Sequence, residues 1–90
     1  MINIIFDEKN LQSLAYEDDK EAGECQFEIR DDKWYIFHTG VRPEFGGQGI
    51  ARMLVEKIIE EARKRNVKIV PICSYASKMM IGNDKYKDVL

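Results

Sequence analysis

The chain has 90 residues, of which 44% are hydrophobic and 33% are charged, a composition typical of soluble globular proteins. Fourteen Lys and Arg residues against 16 Asp and Glu residues give a net charge of −2, which excludes the basic field that nucleic-acid-binding and membrane-surface proteins use. No segment approaches the ~18 consecutive apolar residues of a membrane span. We therefore expect one folded domain over residues 1–90, with neither a nucleic-acid nor a membrane partner.

Four strands are predicted in the first half of the chain. Residues 2–6 and 11–16 alternate weakly between apolar and polar, and Cys25, Phe27 and Ile29 recur at period two. Charged turns are expected at 17–21 and 30–33. Residues 34–41 are almost wholly apolar, which predicts a central strand covered on both faces. Simple alternation assigns its side chains to two faces, Trp34, Ile36 and His38 against Tyr35, Phe37, Thr39 and Val41.

The second half of the chain predicts a long amphipathic helix over 49–65 and a strand over 67–72. A helix of this length returns the chain across the sheet, so strands 34–41 and 67–72 should be parallel. Asn66 suits a left-handed helix end. A short helix is expected at 76–81, followed by a tail in which Tyr86, Val89 and Leu90 dock on the core. The fold class is α/β (α+β), with a mixed, mostly antiparallel sheet and one β-α-β unit.

Three glycines, Gly46, Gly47 and Gly49, lie between the apolar strand and the helix. Glycines that adopt positive φ let several backbone N–H groups point into one concavity, and the first N–H groups of a helix have no intrahelical partner. The segment therefore predicts a phosphate-binding loop. It is not a P-loop, which needs Gly-Lys-Ser/Thr where this chain has Gly49-Ile50-Ala51. It is not a dinucleotide fingerprint either, because Arg52 replaces the third glycine.

The run from Val41 to Val55, VRPEFGGQGIARMLV, resembles the acetyl-coenzyme A loop of the GNAT N-acetyltransferase superfamily. The family pattern Arg/Gln-x-x-Gly-x-Gly/Ala falls on residues 46–51, with Gly46 in place of the first Arg or Gln. The segment PICSY at 71–75 and the Tyr-containing acidic tail at 83–90 are similar to the smallest, single-domain GNAT proteins. The resemblance implies a GNAT-like fold, acetyl-coenzyme A as cofactor, and an amine acceptor on a small molecule or a protein.

Candidate site residues converge where the two parallel strands end beside the helix N-terminus, the usual ligand position in open α/β sheets. His38, Thr39 and Val41 end one strand, and Cys73 ends the other. Pro71 lacks an N–H group, so the strands should separate there and leave a gap for a thin pantetheine arm. The resemblance implies the same entry point for the cofactor. The predicted cofactor-binding residues are Thr39, Val41, Gly46, Gly47, Gln48, Gly49, Ile50, Ala51 and Arg52.

Acetyl transfer from a thioester needs a donor for the developing oxyanion, a base for the nucleophile and an acid for the thiolate. Backbone N–H groups near residues 39–41 are candidates for the first and His38 for the second. Tyr75 matches the tyrosine acid common in the resembling family. Cys73 could itself attack and carry the acetyl group, and a His and a Cys at these places are the suspected active pair of the resembling small subfamily. The alternatives are a hydrogen-bonded structural His38 and packing roles for Cys73 and Tyr75.

Two other functions remain open from the sequence. The chain could bind coenzyme A or an acyl-coenzyme A without catalysis, as a sensor or adaptor, or it could be an interaction domain that binds no nucleotide. An enzyme of this size needs an acceptor site that is open or completed by a protein partner. The N-terminal residues lack the pattern of a signal peptide, so we expect a cytoplasmic protein with reduced Cys25 and Cys73. No metal is predicted, because one His and two distant Cys residues lack zinc-site spacing.

Overall fold

The computed structural model describes all residues, 1–90. Five strands form one sheet in the order β1-β2-β3-β4-β5. The strands are β1 (Ile2–Asp7), β2 (Gln12–Glu17), β3 (Lys20–Arg30), β4 (Lys33–Val41) and β5 (Lys68–Pro71), and the α-helices are α1 (Ile50–Lys64) and α2 (Ser74–Met80). Short 3-10 helices span Pro43–Phe45 and Asp84–Val89. Strands β1 to β4 are antiparallel neighbours and β5 pairs parallel with β4, which confirms the predicted mixed sheet and β-α-β unit.

Aspartates and an asparagine make the tight connections. Asp18, Asp31, Asp32 and Asn66 have φ values of 53°, 50°, 62° and 56°, a left-handed conformation that short polar side chains tolerate better than most residues. Asn66 follows α1, as predicted. The expected charged turn at 17–21 is shorter than predicted, because Glu17 and Lys20 already pair across β2 and β3.

Helix α1 packs on one face of the sheet and builds the core with it. Its apolar stripe of Ile50, Leu54, Ile58, Ile59 and Ala62 is at most 2% exposed, as the helical periodicity predicts. Each of the four larger side chains contributes roughly 1.5–3 kcal/mol by leaving water. The buried Ser13 hydroxyl donates to the carbonyl oxygen of Leu54 at 2.8 Å. The Phe27 and Trp34 rings stack on the sheet side, with centroids 4.4 Å apart.

Helix α2 and the C-terminal 3-10 helix extend the same core. Met80, Tyr86 and Val89 are buried within it, so the predicted docking of Tyr86 and Val89 is confirmed. The Tyr86 hydroxyl donates to Glu56 of α1 at 2.9 Å. Leu90 is 37% exposed, and its predicted burial is wrong because the last turn ends at Val89. None of the helices combines the length and the apolarity that a membrane crossing requires.

A β-bulge changes the side-chain alternation of β4. Phe27 pairs with Ile36 whereas Gln26 pairs with His38, so Phe37 is the extra residue. Beyond it every side chain lies on the face opposite to the one that simple alternation predicts. Thr39, paired with the fully buried Cys25, therefore faces the helices, and His38 faces away from them. The predicted grouping of His38 with Trp34 and Ile36 is wrong for this reason.

The second face of the sheet carries no helix, so the prediction that β4 is covered on both faces is also wrong. Phe37 is 47% exposed, and the polar side chains of Gln26 and Glu24 lie on this face beside His38. The prediction relied on the apolar composition of β4. Phe37 at the bulge and Tyr35 are apolar, but Phe37 is exposed and Tyr35 is half-buried, and neither lies under a covering layer. We call this surface the open face.

Candidate functional site

The glycine loop between β4 and α1 has two residues in a left-handed conformation. Gly47 has φ 80° and Gly49 has φ 75°, as expected for a loop that turns its N–H groups inward. Gly46 differs from the prediction. Its φ is −64°, and its N–H donates to the carbonyl oxygen of Pro43 at 3.1 Å, so it completes the preceding 3-10 helix and has no N–H left for a ligand.

Six consecutive backbone N–H groups, from residue 47 to residue 52, have no acceptor within the protein. The first bond of α1 is the one from the Met53 N–H to the Gly49 carbonyl oxygen at 3.2 Å, and Gly49 offers no capping side chain. The α1 macrodipole adds partial positive charge at this end. This arrangement matches what a phosphate group requires.

Strands β4 and β5 separate next to this loop. Their pairing ends at Ile36 and Pro71, while β4 continues to Val41. Beyond the last pair, the N–H groups of Ile72 and Cys73 both donate to the Ile36 carbonyl oxygen, at 2.9 and 3.0 Å. Residues 37–41 of β4 therefore have no strand neighbour on this side, which is the gap predicted from Pro71.

Cys73 lies on the helix-covered side of this gap. Its Sγ is 3.5 Å from the Thr39 hydroxyl and accepts a hydrogen bond from the Ala76 N–H at 3.4 Å as the N-cap of α2. The same hydroxyl lies 3.5 Å from Cys25, whose burial raises the pKa of its thiol to about 12. Cys73 is half-buried, and both thiols are free.

His38 lies on the open face, so the structure does not bring it into contact with Cys73. Its Nε2 is 2.8 Å from Oε2 of Glu24. The predicted convergence of His38 and Cys73 at one point is wrong in detail, because the bulge at Phe37 turns His38 to the open face and Thr39 to the helix-covered face, where Cys73 lies. The two candidate residues flank the gap from different faces.

A shallow cleft of about 340 Å³ opens between the start of α1 and α2. It is lined by Arg52, Tyr75, Lys78 and Met79. Tyr75 is 39% exposed, and Arg52 presents a half-exposed guanidinium group whose only ionic partner is Glu56 at 3.8 Å. The cleft adjoins the six free N–H groups through Arg52 and adds a second cation, Lys78. No three His, Cys, Asp or Glu side chains cluster closely enough to hold a metal ion.

The sequence profile of the GCN5-related N-acetyltransferase family matches residues 13–89. That match spans β2 to the C-terminal 3-10 helix and includes the loop, the gap and the cleft. The chain belongs to this family. GCN5-related N-acetyltransferases are the GNAT family, so the family resemblance seen in the sequence and the GNAT-like fold that it implied are confirmed.

Solved GNAT structures have the same fold. The chain superposes on a GCN5-like protein from Staphylococcus aureus, which carries a provisional assignment as an N-acetyltransferase, with TM-score 0.75 and 35% identity over 97% of this chain and 85% of that one. It also superposes on the ribosomal-protein-S18-alanine N-acetyltransferase of Escherichia coli, with TM-score 0.64 and 26% identity over 81% of this chain and half of the longer enzyme. A GNAT acetyltransferase from Elizabethkingia anophelis with acetyl-coenzyme A bound shares the fold at TM-score 0.60 and 24% identity, over 67% of this chain and 40% of that one. No functionally curated protein matches the chain at the level that indicates homology.

Sequence reasoning missed two residues that lie beside the candidate site residues, Glu24 next to His38 and Lys78 in the cleft with Tyr75. The alternation of β3 places Glu24 on the polar side next to buried Cys25, but only the β3–β4 register shows that it meets His38. Lys78 follows Tyr75 by three residues in α2, and this spacing puts both side chains on one helix face. That spacing is the sequence signal from which Lys78 could have been predicted.

Proposed function

We propose that residues 1–90 form an acetyltransferase domain that binds acetyl-coenzyme A and transfers the acetyl group to an amine. The observation that carries this proposal is the run of six unpartnered N–H groups at residues 47–52. Family membership supports acetyl-coenzyme A as the donor, and a pyrophosphate offers enough oxygen acceptors for such a run of donors. Arg52 and Lys78 add positive charge beside it.

The gap between β4 and β5 is the proposed path for the pantetheine arm. Backbone groups of residues 37–41 have no strand partner on the β5 side, so they are free to hydrogen-bond the amides of an extended ligand. Val41 is half-buried against the core and forms an apolar wall at the loop end of this path. The acetyl end then lies between Thr39 on one face and His38 on the other.

Acetyl-coenzyme A supplies an activated acyl group, and transfer forms a nitrogen–carbon bond as the carbon–sulfur bond breaks. The amine nitrogen must lose a proton, which His38 accepts on the open face, where no helix obstructs an incoming acceptor. The departing thiolate gains a proton, for which the Tyr75 hydroxyl in the cleft is the candidate donor. Backbone N–H groups of residues 39–41 are the candidate donors to the oxyanion.

Direct transfer fits the positions of His38 and Cys73 better than an acetyl-cysteine. A cysteine nucleophile is activated by a neighbouring base, a cationic group or a helix N-terminus. The hydrogen-bond partners of the Cys73 Sγ are the Thr39 hydroxyl and the Ala76 N–H, neither of them a base or a cation, and the helix that it caps has only 7 residues. We therefore assign Cys73 to the N-cap of α2 and to the wall of the gap. Intact mass after incubation with acetyl-coenzyme A tests this assignment, because an acetyl group that is retained by wild type and lost in Cys73→Ala would establish the covalent route.

The primary experiment is an amide NMR titration with coenzyme A, run together with calorimetry. We expect the largest shifts at the amides of residues 47–52 and 37–41, whereas the Gly46 amide, bonded to Pro43, should shift less. A screen of amine acceptors with acetyl-coenzyme A and a His38→Ala control then tests transfer. Binding with no transfer to any amine class would indicate a sensor or adaptor. No binding at millimolar ligand, a limit of about −4 kcal/mol, would refute the proposal and favour an interaction domain.

A further inference from the structure

We propose that Glu24 is a positioning residue for His38, and that it fixes the imidazole in the tautomer whose free lone pair is on Nδ1. The inference rests on the proposed function, in which His38 accepts the proton of the amine. It adds a carboxylate to the site and specifies which nitrogen of the imidazole acts. Two contacts and one feature of the backbone on the open face support it.

The first contact joins Glu24 to His38 itself. The Oε2 atom of Glu24 lies 2.8 Å from Nε2 of His38, within the range of a charge-assisted hydrogen bond. An ionised carboxylate only accepts, so Nε2 must carry the hydrogen. In the neutral imidazole Nδ1 is then unprotonated, and Nδ1 makes no hydrogen bond within the chain. It is the nitrogen available to an acceptor amine.

The second contact orients the carboxylate. Arg42 donates from Nη1 to the other oxygen of Glu24 at 3.2 Å, and from Nη2 to Glu21 at 2.9 Å. The Glu24 side chain is only 16% exposed, although it lies on the open face. A carboxylate held at both oxygens has little freedom to rotate away from the imidazole. Because Arg42 binds the Oε1 atom of Glu24, the Oε2 atom is left for His38.

The third observation is the space beside Gly40, which the side chains of Glu24 and His38 occupy. A Cβ atom at Gly40 would lie 2.8 Å from Oε2 of Glu24 and 3.1 Å from Nε2 of His38, closer than such atoms pack. The φ of Gly40 is not positive, so a larger residue here would act by displacing the ends of these two side chains and not by straining the backbone. Glycine at position 40 leaves room for the carboxylate and the imidazole in the positions that they occupy.

Glu24→Gln separates positioning from simple packing, because it preserves size and removes the charge. Arg42 still requires an oxygen, so the amide oxygen should turn to Arg42 and the amide NH2 group to His38. The NH2 group can only donate, so Nε2 must become the acceptor and the hydrogen must move to Nδ1. The variant should therefore carry the imidazole hydrogen on Nδ1, so that the nitrogen facing the acceptor amine no longer has a free lone pair.

The tautomer can be read directly, because His38 is the only histidine in the chain. We would record long-range nitrogen–hydrogen NMR spectra of the imidazole, at a pH where it is neutral, for wild type, Glu24→Gln and the control Glu21→Gln. Glu21 shares Arg42 but does not touch His38, so its variant should keep the wild-type tautomer. We expect Nε2–H in wild type and in the control, and Nδ1–H in Glu24→Gln.

Acetyl-transfer kinetics give the second readout. In Glu24→Gln, kcat/KM should fall by roughly 10- to 100-fold, less than the roughly 10²–10⁴-fold attributed to a general base itself, because His38 is still present. The pH profile of kcat/KM should change, while the Kd for coenzyme A stays that of wild type. Wild-type His38 with its hydrogen on Nδ1, or a Glu24→Gln variant with unchanged tautomer and rate, would overturn the proposal. The tautomer does not depend on turnover, so a chain with no transferase activity but with the expected tautomers would refute the proposed function and leave the Glu24–His38 geometry established.

Discussion

Gly49→Ala provides a quantitative test of the loop. Gly49 has φ 75° and ψ 19°, and a Cβ atom built on it meets nothing within 4 Å. The substitution therefore introduces no clash, and its main cost is the left-handed conformation, about 1–2 kcal/mol for a residue with a Cβ atom. A smaller opposing effect comes from the reduced entropy of the unfolded chain, about 0.4–1 kcal/mol.

That cost must appear in one of two measurements. If the free loop keeps its conformation, the whole cost lowers the free energy of unfolding and the affinity for coenzyme A is unchanged. If the free loop relaxes, stability is recovered, but the ligand must restore the strained conformation and affinity falls by the same amount. The loss of unfolding free energy plus the loss of binding free energy should equal the total cost, where 1.4 kcal/mol corresponds to about tenfold in Kd.

Gly82→Ala is the matched control. Gly82 follows α2, has φ 81°, and its Cβ position is also free of neighbours within 4 Å. The same conformational terms apply, but the residue lies outside the loop, so its cost should appear in urea unfolding alone. The summed losses of Gly49→Ala should match the unfolding loss of Gly82→Ala to within about 0.5 kcal/mol. A Gly49→Ala protein that binds and unfolds like wild type while Gly82→Ala loses stability, or a Gly82→Ala protein that loses affinity, would refute this account of the loop.

Three further predictions concern the thiols and the tail. A thiol reagent should modify Cys73 alone in the folded protein and both cysteines in denaturant, because burial raises the pKa of Cys25 to about 12; rapid loss of both native thiols would contradict this. Cys73→Ser should retain the acceptor for the Ala76 N–H, whereas Cys73→Ala should lower the unfolding free energy by about 0.5–1 kcal/mol more, with both variants keeping acetyl transfer. Burial raises the pKa of the Glu56 carboxyl, but hydrogen bonds from Tyr86 and Lys85 outweigh this effect and hold the pKa below 4.5. The stability that these hydrogen bonds add is therefore present above pH 4.5 and is lost as the pH falls through the lowered pKa. Tyr86→Phe should therefore cost about 1 kcal/mol at neutral pH after allowing for the partial exposure of Glu56, and urea unfolding at acid pH should show a smaller difference; an equal difference at both pH values would argue against the linkage.

The sequence was sufficient to predict the sheet, the crossover helix and the loop, because each depends on local patterns. Helical periodicity located α1 within one residue at each end, and Pro71 indicated where β5 leaves β4. Side-chain placement beyond Ile36 could not be predicted, since a bulge depends on the β3–β4 register and not on the composition of β4. The role of Gly46 was missed for a similar reason, because its N–H partner, the Pro43 carbonyl, forms only once the 3-10 helix is present.

The bulge at Phe37 makes β4 more sensitive to its length than to the identity of that residue. The Phe37 side chain is half exposed and belongs to no core cluster, so exchanging it removes little burial. The insertion of one residue between 37 and 38 has a different effect, because it exchanges the imidazole at 38 and the hydroxyl at 39 between the two sides of the sheet. Among homologous chains, substitutions should therefore accumulate freely at this position, while insertions between it and His38 should be rare.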